Sequence, residues 1–205
     1  MRYFLQLSYR GTHYRGWQRQ SGVVSIQQTI EDCISKILKR SHHIHGCGRT
    51  DAGVHASQYF AHIDIPELPP FDLKSRLNRV LPDDITVIDL IEVNNSAHAQ
   101  YDAKLRSYTY FFHLQKDALR ADRSAYYDVD RFDIDTVMTA IATLRSTKDF
   151  RTLCKRPDAY KHTHCHISTI DLTVLSDKYE AYCLTISADR YLRGMIRYMM
   201  ARLID

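Results

Sequence analysis

His43-Ile44-His45-Gly46-Cys47-Gly48-Arg49-Thr50-Asp51-Ala52-Gly53-Val54-His55-Ala56-Ser57-Gln58-Tyr59-Phe60-Ala61-His62-Ile63-Asp64-Ile65 is the stretch on which the fold turns. It reads as a short strand near 43–47 and a longer one near 54–65, bracketing a turn that Gly46, Gly48 and Gly53 let bend tightly. Upstream, Ile26, Ile30, Cys33, Ile34, Ile37 and Leu38 follow the 3.6-residue period and predict a helix over 25–39. Ser25 followed by Gln28 is a capping-box pattern at its start. Before it, Tyr3, Leu5, Leu7 and Tyr9 alternate at period two, a strand over 2–9. Downstream, Pro66, Pro69 and Pro70 stop the sheet, a helix is expected near 72–80, Pro82-Asp83-Asp84 turns the chain, and 85–93 is a strand. The order β-α-β-β-α-β is the split βαβ or ferredoxin-like unit.

The pattern then recurs. Residues 105–114 (LRSYTYFFHL) are strand-like, and Ile134, Val137, Met138, Ile141 and Leu144 give a helix over 134–144 with Asp133 as its cap. Strands follow near 166–175 and 179–187, and Leu192, Met195, Ile196, Met199 and Leu203 space a helix over 190–203. The chain stops at Asp205 without a counterpart of the last strand, which leads us to expect a C-terminal truncation. The fold class is therefore α+β: two pseudo-repeated ferredoxin-like halves, mainly antiparallel, forming a central cleft. The expected domains are 1–103, carrying the glycine-rich loop, and an incomplete 104–205.

Composition narrows the function. Five cysteines, an odd number with no CxxC pair, argue against a disulfide framework. With no apolar run of about 18 residues and no basic-then-apolar leader, a cytoplasmic location and no membrane partner are expected. The net charge of +4 is compatible with a polyanionic partner. Its distribution says more: Arg10, Arg15 and Arg19 lie near Tyr9, Tyr14 and Trp17, while Arg190, Arg193, Arg197 and Arg202 gather at the far end.

The chemistry gathers on the loop. Arg49 and Asp51 are one residue apart, so an extended backbone aims both side chains the same way. A carboxylate and a guanidinium on a glycine-rich loop suit a site that meets sugar, base and phosphates together. The same residues equally describe a solvated hairpin turn with a surface ion pair. A metal protein is a rival reading, because His42, His43, His45 and Cys47, then His162, His164, Cys165 and His166, form two Cys/His-rich clusters. Neither has structural zinc spacing, and HxHCH on one extended segment sends neighbours to opposite faces, so no metal site is expected. Cys47 lacks an identifiable partner base for thiol chemistry.

The run Gly48-Arg49-Thr50-Asp51-Ala52-Gly53-Val54-His55-Ala56 resembles the signature of the TruA family of tRNA pseudouridine synthases. Further pieces match in the family's order: residues 9–20 (YRGTHYRGWQRQ), Ser25-Ile26-Gln27, Leu77-Asn78, Leu81-Pro82-Asp83-Asp84-Ile85 and His98-Ala99. Arg106-Ser107-Tyr108-Thr109-Tyr110, Lys148-Asp149-Phe150 and Leu192-Arg193-Gly194-Met195-Ile196-Arg197 continue the match over essentially the whole chain. Two places depart from the family pattern: Gln100-Tyr101 stand where Arg-Phe is common, and Tyr198-Met199-Met200-Ala201-Arg202 replaces a run of small residues.

The resemblance implies an isomerase that converts uridine to pseudouridine at tRNA positions 38, 39 and 40, acting as a homodimer on the anticodon arm. It implies Asp51 as the catalytic aspartate, Arg197 as its basic partner, and Tyr108 as the ring against the target uracil. Arg49 would help hold the nucleotide out of the helix, the four converging on the cleft. Tyr108 also reads as a core strand aromatic, and Arg193 with Arg197 as an i,i+4 pair on one helix face. Breaking the ribose–N1 bond and remaking it to carbon 5 consumes no electrons, water or donor, so no cofactor is expected. The base must be flipped out of its stack at a cost of roughly a few kcal/mol. Arg10, Arg15, Arg19, Arg76, Arg79 and Arg106 are candidate phosphate contacts, with Tyr14 and Trp17 available for stacking on RNA or for packing. A non-catalytic RNA-binding paralogue is the alternative, against which the presence of Arg49, Asp51, Tyr108 and Arg197 argues.

Overall fold

Alternation along the first strand becomes burial: in β1 (Arg2–Tyr9), Tyr3, Leu5, Leu7 and Tyr9 are buried while Arg2, Phe4, Gln6 and Ser8 are not. A computed structural model describes residues 1–178 and 180–204, and the chain divides into two compact units, Met1–Ala103 and Lys104–Asp205. The first contains β1, α1 (Ile26–Leu38), β2 (Ile44–Gly46), β3 (Ala56–Asp64), α2 (Leu73–Val80) and β4 (Ile85–Val93). The sheet order is β2-β3-β1-β4, every pair antiparallel.

Each helix starts where a side chain can take an orphan backbone N–H. Ser25 Oγ accepts from Gln28 N at 3.3 Å, and Asp72 Oδ1 from Ser75 N at 3.1 Å. The apolar stripe of α1 (Ile26, Ile30, Ile34) and Leu73 and Leu77 of α2 share one core with the inward residues of the sheet, including Leu5, Leu7, Ala61, Ile63 and Val87. Asn78 stitches α2 to β4 by donating to Val87 O and accepting from Val87 N, both at 2.8 Å.

The second unit contains β5 (Arg106–His113), β6 (Ala125–Tyr126), α3 (Ile134–Ser146), β7 (Ile167–Ser176), β8 (Ala181–Ala188) and α4 (Met195–Ile204). Asp133 caps α3 through Asp135 N. The antiparallel run β5-β8-β7 repeats the arrangement β1-β3-β2. Phe112, Ile170, Leu184 and Ile186 meet Val137, Ile141, Met195 and Met199 of the helices in a second core. The fold is thus of the expected α+β class, two mostly antiparallel sheets with helices, and each sheet has four strands.

Three details differ from the expectation. Beside β5, where β4 stands beside β1, lies the short β6, parallel and paired only through Phe112↔Ala125 and His113↔Tyr126. The last helix begins at Met195, not at 190, because Gly194 has φ +76 and a backbone in that left-handed region does not continue a helix. Arg193 therefore lies outside α4, and its pairing with Arg197 on one helix face is corrected. The strand expected from 179 begins at Ala181, and Tyr179 lies outside the described residues. Among the described residues no helix is long and apolar enough to cross a membrane.

Candidate functional site

The glycine-rich loop is clamped by the segment that follows β1. At its start, a Cβ on Gly46 would sit 2.1 Å from the Tyr59 hydroxyl and 2.6 Å from the Trp17 indole, so only glycine fits between them. The Tyr59 hydroxyl donates to Gly48 O at 2.5 Å. Tyr9 and Thr50 share a hydroxyl–hydroxyl bond of 2.9 Å, and Trp17 N donates to Thr50 O at 3.1 Å. Gly53 N donates to Tyr14 O at 3.3 Å, and Gly11 N to His55 Nδ1 at 2.9 Å. Two more glycines make the fit close: a Cβ on Gly11 would meet Val54 O at 2.1 Å, and one on Gly16 (φ +89) would meet Thr50 O at 2.5 Å. Residues 9–17 thus grip the loop on both sides of Asp51.

Asp51 and Arg49 are both exposed, and the half-buried Thr50 between them is the residue that the clamp holds. The backbone closes behind Asp51 through Val54 N donating to Asp51 O at 3.2 Å. Under the loop, the Trp17 ring lies tilted against Tyr59 at 4.1 Å and against Tyr9 at 6.0 Å, measured between ring centroids. A side chain carried on a loop with this many fixed points keeps its position at little entropic cost.

Of stacking on RNA and packing, the two roles open to Tyr14 and Trp17, burial favours packing. Trp17 is only 3% exposed, and Tyr14 is buried with its hydroxyl donating to Asp84 Oδ1 at 2.6 Å. Burial and the neighbouring Asp84 carboxylate push the Tyr14 hydroxyl's pKa upward. Neither ring offers a face to a base; both are packing anchors of the clamp.

The cationic candidates differ in their immediate surroundings. Arg10, Arg15, Arg76 and Arg79 are exposed, Arg76 lying over the Phe71 ring at 4.2 Å, and Arg19 meets Glu31 at 2.9 Å. In the second unit, Arg106 Nη1 donates to Asp189 O at 2.8 Å, and the half-buried Tyr108 ring stands edge-on to Tyr191 at 4.8 Å. The Tyr191 hydroxyl donates to Ile186 O at 2.9 Å, which fixes the ring that Tyr108 leans on. Arg197 is exposed on α4.

Of the Cys/His clusters, no three His, Cys, Asp or Glu side chains among the described residues form a group that could hold a metal ion. His45 instead stacks on His62 at 4.9 Å, His62 meets His98 at 4.6 Å, and His62 Nδ1 accepts from Ala99 N. Burial first, then the charges of Arg2 and the flanking histidines, pushes the His62 imidazole down to about 4.

The clamp residues Gly11, Gly16 and His55 escaped the reading of individual residues. The signal available was the recurrence of Tyr-Arg-Gly at 9–11 and at 14–16, two glycines five residues apart in a strand-to-helix connection.

The family described as tRNA pseudouridine synthase matches residues 7–102 and 140–205. The tRNA pseudouridine synthase A of Bacteroides thetaiotaomicron is 37% identical over 206 residues, covering 100% of this chain and 76% of that protein. The protein of the same name from Porphyromonas gingivalis is 36% identical over 205 residues, covering 98% of this chain and 81% of its own length. That of Acinetobacter baylyi is 33% identical over 213 residues, covering 100% and 75%. The chain belongs to the tRNA pseudouridine synthase family, a family of isomerases.

Proposed function

We propose that the protein isomerises uridine to pseudouridine in the anticodon stem-loop of tRNA, at positions 38, 39 and 40, with Asp51 as the catalytic carboxylate. The observation that carries this reading is the clamp. Hydrogen bonds from Tyr9, Gly11, Tyr14, Trp17 and Tyr59, with close contacts at three glycines, hold residues 46–55, and Asp51 stands exposed among them. A merely solvated turn needs no such support, whereas a group that must meet a sugar within a fraction of an ångström does.

The uridine is flipped out of the stem, with Arg49 holding the vacated place. Of the three routes open to the carboxylate (attack on the anomeric carbon, addition to the uracil ring, or proton removal from carbon 2′), we favour the last. Asp51 takes the 2′ proton as the ribose–N1 bond breaks, leaving a glycal and a uracil anion. The uracil turns, the proton returns to carbon 2′ as carbon 5 bonds to the anomeric carbon, and carbon 5 then loses its own proton while N1 takes one up, so the product is an isomer of the substrate. Tyr108 and Arg197 complete the catalytic set in the roles the family resemblance gives them, ring against uracil and cation for the carboxylate. Arg106 and the exposed arginines of the first unit contact phosphates, which fix register without reading sequence. The working form is a cytoplasmic homodimer that grips the anticodon arm.

Incubation with unmodified tRNA, followed by mass-spectrometric mapping, tests the reading. Pseudouridine is expected at positions 38–40 of susceptible tRNAs; a protein that binds tRNA without forming it would be the non-catalytic paralogue.

A further inference from the structure

One buried charge in the first unit has no part in this chemistry. Glu31, on α1, is only 2% exposed. An unpaired carboxylate there would be costly, and this one is fully occupied. Its Oε1 accepts from Gln27 Nε2 and from Ile44 N, both at 3.1 Å, and faces His43 Nδ1 at 3.6 Å. Its Oε2 accepts from Arg19 Nη1 at 2.9 Å. Oε1 thus satisfies the buried Ile44 N–H, and Oε2 is left to hold Arg19.

Among the described residues the Arg19 guanidinium is held through Nη1 alone. Its side chain is 48% exposed, and Nη1 also lies 3.9 Å from Asp32 Oδ1 on that same side. Among the described residues its Nε and Nη2 have no protein partner. A guanidinium fixed at one corner presents the remaining donors as a preset fork, the geometry that suits phosphate oxygens.

Arg19 also lines an open recess of about 540 Å³, together with Gln20, Ser21, Gly22, Val23, Val24 and Gln28. Its rim is tied down: Gln20 pairs with Val23, Arg15 N donates to Val24 O at 2.9 Å, and Gln20 Nε2 donates to Arg15 O at 3.2 Å. Arg19 N donates to Gln27 Oε1 at 3.0 Å. The lining joins one cation, two amides and the exposed apolar Val24, a mixture that fits a nucleotide better than a purely apolar or purely ionic ligand. The same backbone runs through Trp17, whose N–H holds Thr50 beside Asp51.

We propose that this recess seats one nucleotide of an RNA strand, its phosphodiester held by Arg19, with Glu31 as the positioning residue that presents the guanidinium. The inference deepens the reading of the protein as a tRNA-modifying enzyme and rests on it for the identity of the strand. Arg19→Ala removes the fork. Glu31→Gln keeps the volume and an acceptor for Ile44 N but turns an amide N–H toward Nη1, so only the hold on Arg19 is lost.

Unmodified tRNA is titrated into each variant over a range of salt, and kcat and KM for pseudouridine formation are measured alongside. Arg19→Ala should weaken binding about tenfold and lower the slope of log K against log salt by about 1. Glu31→Gln should raise KM with kcat nearly intact and should add nothing in the Arg19→Ala background. Glu31→Asp, which keeps the charge but withdraws it by a methylene, is read in the same cycle should Glu31→Gln fail to fold. An unchanged salt slope in Arg19→Ala overturns the proposal. Additive losses from Arg19 and Glu31 overturn the positioning role. A wild-type protein that binds tRNA through Arg19 but forms no pseudouridine would overturn the enzymatic reading and leave the recess standing, so the two failures are distinguishable.

Discussion

At the scale of single residues, the site is built from positions where nothing but hydrogen fits. Gly16 has φ +89, and an added Cβ would press on Thr50 O at 2.5 Å and Asp51 C at 3.1 Å. Gly16→Ala should therefore displace the carboxylate by an appreciable fraction of an ångström. We expect turnover to fall about 100-fold, with the far-ultraviolet circular dichroism of the protein retained. Wild-type turnover in this variant would contradict the clamp. The sequence displayed Asp51 and Arg49 because their spacing is local. It did not display that Tyr14 and Trp17 face inward, since an aromatic beside arginines reads alike on a surface or in a core until its neighbours in space are known.

His62 makes a second prediction at this scale. The unfolded chain takes up its proton near 6.5, the folded chain only near about 4, because the ring is buried beside Arg2, His98 and His45. The unfolded state binds the proton first, so stability falls as pH drops from about 6.5 towards about 4. Thermal unfolding at pH 7.5 and pH 4.5 should show a smaller acid-induced loss in His62→Gln than in the wild type. Equal losses would mean that the histidine stack contributes nothing to the acid sensitivity.

Elements follow from local signals wherever those signals are complete. Helix α1 has its apolar stripe and its Ser25 cap, and both survive into the structure. Ser25 is buried, and Ser25→Ala should cost about 1 kcal/mol, measured as a lower midpoint in urea with an unchanged m-value. Helix α4 shows the converse. Leu192 continued the apolar spacing, but Gly194 in a left-handed conformation ends the loop and starts the helix at Met195. Strand β6 was illegible for another reason: two residues carry no period, and Ala125 and Tyr126 become a strand only because Phe112 and His113 pair with them.

On the scale of the whole molecule, the sequence spoke through repetition. The orders β2-β3-β1 and β7-β8-β5 are one arrangement used twice, with helices α1 and α3 entering at equivalent points. That much was readable because hydrophobic period changes from two to 3.6 in the same order in both halves. The fourth place in each sheet differs, β4 running the length of β1 while β6 touches the end of β5. Period alone cannot foretell which segment fills an edge.

Placement of the carboxylate on a clamped loop is what makes the protein an enzyme in this account, and one substitution isolates it. Asp51→Asn preserves size and loop geometry while removing the proton-accepting oxygen. Pseudouridine formation should become undetectable under single-turnover conditions, while tRNA affinity stays within about threefold of wild type, since the lost group is not a phosphate contact. Pseudouridine formed by Asp51→Asn at a rate near that of the wild type would contradict the account.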